Sequence, residues 1–310
     1  MDVSNRKFFS SASLIFLSVV LIVLTVKPSL GNDFHRYYQS IEDNGGWYTP
    51  KGPIDYSNLT RKCNIEVLDT LIEQEEFLTR YANRRPVILR KAVNNQVLRN
   101  FTSRKQLLSK YGTKIIRLSS ANTYSYNKFD TTLSNYVNNY IKPQSLEELG
   151  VDTYYFFGDN NHTEWKTLFS YYYKPPYNIP GFTSMLSFGI AGPGSGVPFH
   201  FHGPVFSETL HGKKARLSSF IGTTLGFEVP NSLKYDYLHW LLYPPNRKPQ
   251  FDPNQTTLQW LTCQYTKLNI NEQPFECSVE PNEIIYVPSG WWHATINMKT
   301  TVFVSTFLSG

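Results

Sequence analysis

The chain has 310 residues, of which 41% are apolar and 15% aromatic, and its formal net charge at pH 7 is +6. That length and apolar content can bury the core of one large domain, which excludes an intrinsically disordered chain. The cations are scattered, and the densest pairs are Arg84-Arg85 and Lys213-Lys214. Nucleic-acid binding would require a stripe of cations with stacking aromatic side chains, so no nucleic-acid partner is predicted.

Residues 1–31 have the order of a secretory signal peptide. The basic residues Arg6 and Lys7 precede an apolar run over residues 8–26, and small residues follow, with cleavage expected after Gly31. An uncleaved membrane anchor is the alternative, because the apolar run is close to the ~20 residues that span a bilayer. The N-terminal cations favour a cytosolic start in both cases. We therefore expect the rest of the chain in the endoplasmic reticulum lumen or elsewhere in the secretory pathway, with membrane contact only if the segment is uncleaved.

Four Asn-x-Ser/Thr sequons support the same compartment and predict a glycoprotein. A single tripeptide of this kind is weak evidence, whereas four of them behind a signal-like segment favour a lumenal chain. Their asparagines are Asn58, Asn100, Asn161 and Asn254.

Three cysteines are an odd number for an oxidising compartment. Cys263 and Cys277 flank a predicted turn and can form one disulfide, which would leave Cys63 free. Spacing alone does not choose the pair, and three buried thiols are the alternative.

Residues 61–310 are predicted to form one domain, since the chain contains neither a repeat nor a low-complexity linker. Residues 32–60, rich in Gly, Tyr, Asn and Pro, are predicted to be an irregular segment ahead of it. Gly112 is expected to end a helix in the left-handed conformation. The first half of the domain is predicted to contain helices over residues 70–81 and 101–111 and short strands over residues 86–89 and 115–118.

From residue 183 onward the pattern becomes β. Short runs of β-branched and aromatic residues, bounded by Gly and Pro, predict strands over residues 185–188, 284–287 and 301–307. Two histidine motifs stand at the ends of such runs. The pattern predicts an all-β sandwich or barrel whose mouth holds the histidines.

The first histidine motif is His200-Phe-His202. Side chains alternate faces along a strand, so residues two apart point the same way and can bind one metal ion. His293, some ninety residues later, can supply a third imidazole. The alternative is that the three histidines are hydrogen-bonded in the barrel mouth without a metal.

The sequence around His293 resembles the second cupin motif, Pro-x-Gly-x-x-His-x-x-x-Asn. Asn282 occupies the place of that family's earlier glycine, and Gly194 precedes the first histidine pair as in the first cupin motif. Residues 85–90, after a predicted helix, are similar to the opening of JmjC domains of the small hydroxylase type. The four matched positions of the second motif are Pro288, Gly290, His293 and Asn297.

Together these motifs make residues 45–310 similar to a secretory-pathway member of the JmjC family. The resemblance implies a mainly β fold, a double-stranded β-helix (jelly roll) of the cupin/JmjC type, with N-terminal helices packed on it. JmjC oxygenases hold Fe(II) with two histidines and a carboxylate, and they use 2-oxoglutarate. His200 and His293 match the two histidines, and His202 stands in the place of the carboxylate.

The resemblance also assigns residues to 2-oxoglutarate. Lys214, in a Gly-x-Lys pattern, is expected to pair with the distal carboxylate of this co-substrate. Ser305 matches a position where relatives place a hydroxyl near the same group. Glu208, six residues after His202, is a possible fourth metal ligand.

Two classes of function remain open, and no catalytic side chain is assigned. The first is an Fe(II)- and 2-oxoglutarate-dependent protein hydroxylase. Lys214 and the complete second cupin motif favour this class. The second is a catalytically inactive JmjC-fold protein that acts as a binding or regulatory module. It is favoured by His202, because a neutral imidazole does not offset the charge of the metal as a carboxylate does. Both classes imply a protein partner or substrate in the secretory pathway.

Residues 215–239 form an atypical insertion. In JmjC relatives the segment after the Gly-x-Lys pattern continues directly into a strand ending in Tyr-Pro-Pro, which resumes here over residues 240–245. The insertion is either a loop of this lineage or retained intronic sequence. Interrupting a central strand disrupts pairing, whereas surface loops tolerate extra length, so retained intronic sequence is favoured. His211 and His239 border the segment and are predicted to be surface histidines.

Overall fold

The computed structural model describes residues 44–47, 63–121, 127–142, 154–158, 160–212 and 238–310. All of these lie within one compact unit, Asn44–Gly310. None of the helices in this described part is long and apolar enough to cross a membrane. Several sequence predictions lie outside the described residues: the signal-like segment, most of residues 32–60, Asn58, Lys214 and residues 215–237 of the insertion.

Helices and short strands alternate in the first half of the described chain, and strands dominate the second half. In chain order the elements are β1 (Glu66–Leu68), α1 (Gln74–Arg80), β2 (Val87–Arg90), α2 (Gln96–Phe101), α3 (Arg104–Tyr111), β3 (Ile115–Ser120), β4 (Lys128–Thr132) and α4 (Leu133–Asn135), which continues into a π-helical turn (Tyr136–Tyr140). They are followed by β5 (Tyr154–Tyr155), α5 (His162–Phe169), β6 (Thr183–Ala191), β7 (Val205–His211), β8 (Leu238–Tyr243), α6 (Thr257–Cys263), a 3-10 turn (Tyr265–Lys267), β9 (Phe275–Val279), β10 (Glu283–Val287), β11 (Trp292–Asn297) and β12 (Thr301–Ser309).

Two sheets form the centre of the domain. The larger has the strand order β1-β2-β10-β7-β12-β6, and its pairs are antiparallel except for β1 with β2. The smaller has the order β11-β8-β9, and residues 195–200 extend it by hydrogen bonding to β11. Val205 and Ile285 of the larger sheet share one buried cluster with Leu242 and Val279 of the smaller, so the sheets face each other. This is the mainly β, double-stranded β-helix that the sequence predicts.

The N-terminal helices cover the outer face of the larger sheet, as predicted. Strand β10 contributes side chains to two layers, because successive residues of a strand point to opposite faces of the sheet. Ile285 and Val287 point into the core between the sheets, whereas Ile284 and Tyr286 point outward and pack against Phe77 of α1. The three-stranded sheet β4-β3-β5 and helices α2, α3 and α5 extend the same outer layer around a second apolar cluster.

The predicted helix over residues 101–111 is two helices, α2 and α3, which are separated at Thr102 and Ser103. Gly112 follows α3 with φ −57°, so it does not adopt the predicted left-handed conformation. A Cβ at this position would lie 2.4 Å from the carbonyl oxygen of Leu108 and 2.5 Å from Oγ of Ser134. Glycine is therefore required here for close packing of backbone and not for its dihedral angles.

The disulfide joins Cys63 to Cys277, so the predicted Cys263–Cys277 bond is not formed. Cys263 is exposed and free at the end of α6. Cys263 and Cys277 lie on opposite sides of the smaller sheet and so do not pair. Cys263 is on α6, which packs on the outer face of the sheet, whereas Cys277 points to the inner core. The chain before β1 runs along β9, where the amide of Asn64 donates to the carbonyl of Glu276 and brings Cys63 beside Cys277.

His211 and His239 are buried, contrary to the prediction that they are surface histidines. His239 belongs to β8, which begins at Leu238, so the last two residues of the predicted insertion are part of a core strand. Its Nε2 lies 3.1 Å from Oε2 of Glu276, and its Nδ1 lies 2.9 Å from Oγ of Ser278. His211 ends β7, and its Nε2 lies 2.8 Å from the carbonyl oxygen of Arg99.

Candidate metal centre

Three histidines meet between the two sheets. His200 and His202 stand on the segment that leads into β7, and His293 is the second residue of β11. Their ligand nitrogens all lie within 4.8 Å of one another. Within the described part of the chain this is the one group of three or more His, Cys, Asp or Glu side chains with metal-binding spacing. The structure thus brings together the three residues that the sequence predicts as metal ligands.

Each of the three imidazoles is oriented by a backbone carbonyl close to it in the chain. The Nδ1 atom lies 2.8 Å from the oxygen of Pro198 for His200, 2.7 Å from that of Gly203 for His202, and 2.9 Å from that of Trp291 for His293. A carbonyl oxygen can only accept a hydrogen bond, so Nδ1 carries the proton in each ring. The lone pair of a neutral ring is then on Nε2, the arrangement that histidine metal ligands use.

Burial keeps these rings neutral. It lowers the pKa of His200 to about 4, with a further contribution from His202, and it lowers the pKa of His202 as well. The pKa of His293 is lowered for the same reason, with smaller contributions from the other two histidines. A metal ligand must be deprotonated, so the cavity favours the ligand form of all three side chains.

The contact between His202 and His293 tests whether a metal fits. Their Nε2 atoms lie 3.1 Å apart. With both Nδ1 protons engaged by carbonyls, two lone pairs face each other, and the pair is unfavourable unless a cation lies between them. The three imidazoles therefore fit a divalent transition-metal ion, whose preferred ligands include neutral imidazole.

Other residues of the cupin motif hold the two histidine-bearing segments together. Asn297 donates from Nδ2 to the carbonyl oxygen of Ser195 at 2.8 Å. Gly290 has φ +73°, and its amide donates to the carbonyl oxygen of His202 at 3.0 Å. Asn282 has φ +70°, a conformation that asparagine tolerates better than most residues, which explains how it replaces the glycine of the family.

The cavity beside the histidines has a volume of about 30 Å³. Ordinary small-molecule sites have volumes of about 300–1,000 Å³, so the space between the described walls is much smaller than such a site. These walls contain no Lys or Arg to pair with a distal carboxylate. They are formed by Phe157, Val197, Val205, Ser207, Leu238, Trp240, Thr295, Phe303, Ser305, Phe307 and the three histidines.

Ser305, which the resemblance assigns to the distal carboxylate of 2-oxoglutarate, lines the cavity, and its hydroxyl donates to Oγ of Ser207 at 3.0 Å. Lys214 lies outside the described residues. Ser207 and Trp240 were not predicted as site residues. The sequence carries no signal for Ser207, because the turn between His202 and β7 breaks the alternation counted from the histidines. The sequence predicts Trp240 only as the start of the resumed strand.

Glu208 does not lie with the histidines, so the prediction of a fourth ligand is not met. It follows Ser207 in β7, and alternation turns its side chain away from the cavity and into the outer layer. There Nδ2 of Asn95 donates to its Oε2 at 2.7 Å, and Arg99 and Tyr172 lie beside it.

Replacing Glu208 with glutamine is expected to stabilise the protein at pH 8. Burial raises the pKa of Glu208 from 4.5 to about 8, so the folded state keeps a proton that the unfolded state releases. Stability from this group is complete below pH 4.5 and falls as the pH rises towards 8, by roughly 3–5 kcal/mol. Urea denaturation of both proteins at the two ends of this window measures the difference.

The neutral amide should remove this part of the pH dependence. Glu75→Gln, on the exposed face of α1, is the matched control and should follow the wild type. An equal loss of stability with rising pH in Glu208→Gln and in the wild type would show that Glu208 is not the group responsible.

Three of the four predicted sequon asparagines fall within the described residues. Asn100, Asn161 and Asn254 are all exposed. Oδ1 of Asn161 also caps α5 by accepting from the amides of Thr163 and Glu164.

No family model matches the chain. JmjC domain-containing protein 8 of Mus musculus is 46% identical over 247 residues, which cover 80% of this chain and 82% of the mouse protein. The Homo sapiens protein of the same name is 44% identical over 267 residues, covering 86% and 91% of the two chains. The crystal structure of the ribosomal oxygenase YcfD of Escherichia coli aligns with a TM-score of 0.41 and 16% identity over 79% of this chain and 54% of that chain. The identities to the mouse and human proteins, over most of each sequence, show that this chain belongs to the JmjC domain-containing protein 8 family.

Proposed function

We propose that this chain is a metal-binding JmjC-fold protein of the secretory pathway, which acts as a binding or regulatory module. In this proposal His200, His202 and His293 hold one divalent transition-metal ion, and Fe(II) is the ion that the family uses. The observation that carries it is the convergence of three unprotonated Nε2 atoms, two of them 3.1 Å apart. The small volume of the cavity and the missing carboxylate argue against oxidative turnover.

Several features support a lumenal location. The signal-like residues 1–31 and the four sequons are those expected of a secretory chain. The Cys63–Cys277 disulfide is of the kind that persists in oxidising compartments.

The partner that we propose is a protein. Phe201, between the two histidines of the first motif, is 57% exposed, and its ring lies 4.7 Å from that of Trp292. This exposed aromatic pair offers apolar contact area next to the metal centre. The scattered cations give no support to a nucleic-acid partner.

An Fe(II)- and 2-oxoglutarate-dependent protein hydroxylase is the second candidate. Membership of the JmjC family and the Gly-x-Lys pattern of residues 212–214 favour it, as does the position of Ser305 in the cavity wall. It requires a cavity larger than the described residues leave.

Metal analysis of the purified full-length protein, paired with a 2-oxoglutarate decarboxylation assay, tests the proposal. We expect about one equivalent of bound metal and no release of carbon dioxide from millimolar 2-oxoglutarate. His202→Asp restores the ligand set of the oxygenases and shows whether the missing carboxylate alone prevents turnover. Metal-dependent decarboxylation by the wild type would favour the hydroxylase, and a metal-free protein that stays metal-free after reconstitution would exclude both candidates.

A further inference from the structure

Trp240 lines the cavity beside the histidines, and none of them accepts a hydrogen bond from its indole. Its indole is 5% exposed, and its ring centroid lies 5.8 Å from that of His293. The indole Nε1 is buried and has no hydrogen-bond partner among the residues that the structure describes. Buried indole N–H groups ordinarily find an acceptor, because leaving the donor unpaired is costly. The unpaired donor therefore indicates an acceptor that enters the cavity.

A second donor lies in the same wall. Ser305 and Ser207 are joined by one hydrogen bond, with 3.0 Å between their Oγ atoms. Two hydroxyls that share a single hydrogen bond have one proton left over. A ligand with acceptor atoms can therefore receive hydrogen bonds from two sides of the cavity.

The net charge of the metal site determines the sign of the charge that this ligand carries. Three neutral imidazoles leave both positive charges of a divalent ion uncompensated, and the described cavity wall contains no Asp or Glu. In surroundings of phenylalanine, valine and leucine side chains the effective dielectric constant is low, so an anion is attracted strongly. The usual JmjC ligand set would neutralise one of these charges with its carboxylate.

The volume of the cavity sets the size of the ligand. About 30 Å³ is two to three times the roughly 10–15 Å³ that a cavity needs in order to hold one water molecule. Ligands of about one to three non-hydrogen atoms fit this space, whereas a dicarboxylate does not.

We propose that the histidine cavity selects a small monoanion, of the size of chloride, azide or formate, as the exogenous ligand of its metal ion, and that Trp240 donates a hydrogen bond from Nε1 to that anion. This inference rests on the proposed metal-binding function. It makes Trp240 a residue that determines ligand specificity, and it gives the centre a ligand different in class from 2-oxoglutarate.

The experiment uses the full-length protein loaded with Co(II), whose visible spectrum reports the coordination of the ion. Sodium azide and sodium formate are titrated into the wild type, and 2-oxoglutarate and succinate are titrated in parallel. We expect the two small anions to change the Co(II) spectrum and the two dicarboxylates to leave it unchanged. Trp240→Phe should bind the same amount of Co(II) but weaken azide roughly ten- to hundred-fold, the effect of one hydrogen bond to a charged group.

Trp260→Phe is the matched control. Its indole Nε1 donates to the carbonyl oxygen of Gln250 at 2.7 Å, and its ring packs in the outer cluster of the smaller sheet. Azide affinity should be unchanged in this variant.

The outcomes separate the inference from the proposed function. A Co(II) spectrum that responds to the dicarboxylates, or that ignores azide and formate, overturns the proposed anion selectivity while the metal site remains. Equal azide affinity in Trp240→Phe and the wild type overturns the role of Trp240. Failure of the wild type to bind Co(II) at all overturns the proposed function together with this inference.

Discussion

Replacing His293 with alanine is expected to weaken metal binding by more than about 100-fold. Even the loss of a hydrogen-bond partner behind a metal ligand costs about 10–100-fold in affinity, and this change removes a ligand itself. His293 is also the side chain that faces His202 across the 3.1 Å gap, so its removal ends the convergence of lone pairs. Competition titration of Co(II) against a chelator of known affinity measures the change.

His162→Ala is the matched control for this prediction. His162 begins α5, is exposed, and contacts Phe169 rather than the metal centre. Its replacement should leave metal affinity within error of the wild type. Thermal unfolding of both variants without metal shows whether any loss of binding comes from loss of the fold. Metal affinity that survives in a folded His293→Ala protein would contradict the assignment of this ligand.

Replacing Cys63 with serine is expected to destabilise the protein by about 2–5 kcal/mol. The Cys63–Cys277 bond joins residues 214 positions apart, and a cross-link over so long a stretch strongly restricts the unfolded chain. Urea denaturation without reducing agent should show a lower midpoint for the variant. Reducing agent should lower the midpoint of the wild type to the same value and leave the variant unchanged.

Cys263→Ser is the control for the disulfide. Cys263 is exposed and unbonded, so this change should not alter the midpoint. If Cys263→Ser destabilised the protein while Cys63→Ser did not, the cysteine pairing would be a different one.

Strand periodicity and local motif spacing predicted the centre of this molecule well. The two-residue spacing of His200 and His202 requires only that the segment be extended, and the second cupin motif placed His293 with them. The alternating runs predicted strands at β6, β10 and β12, although each observed strand is longer because pairing continues past the apolar residues.

Features that depend on contacts between distant segments were not accessible from the sequence. Whether Cys277 meets Cys63 or Cys263 depends on which face of β9 it occupies. The face of β7 on which Glu208 lies depends on where the alternation of side chains begins. The turn between His202 and β7 interrupts that alternation, so it cannot be counted from the histidines. The prediction that His239 lies at the surface is wrong, because the start of β8 is determined by its pairing with β9 and β11 and not by its own composition.

The volume of the cavity could not be predicted either. Phe303 and Phe307 lie on β12 and appear in the sequence as ordinary core residues of an alternating strand. Their rings narrow the space beside the histidines, and this is visible only once the two sheets are packed face to face. The motifs therefore predicted which three histidines come together, but not the volume of the cavity beside them.

Three successive residues of β9 make side-chain bonds to neighbouring segments. Cys277 is covalently bonded to Cys63 on one face, and Glu276 and Ser278 contact His239 on the other. Sliding the strand by one residue would reverse these faces and break both sets of contacts together. β9 pairs with β8, where Leu242 lies opposite His293 of β11. The cross-link thus fixes the register of β9, and through β8 it supports the strand that carries His293.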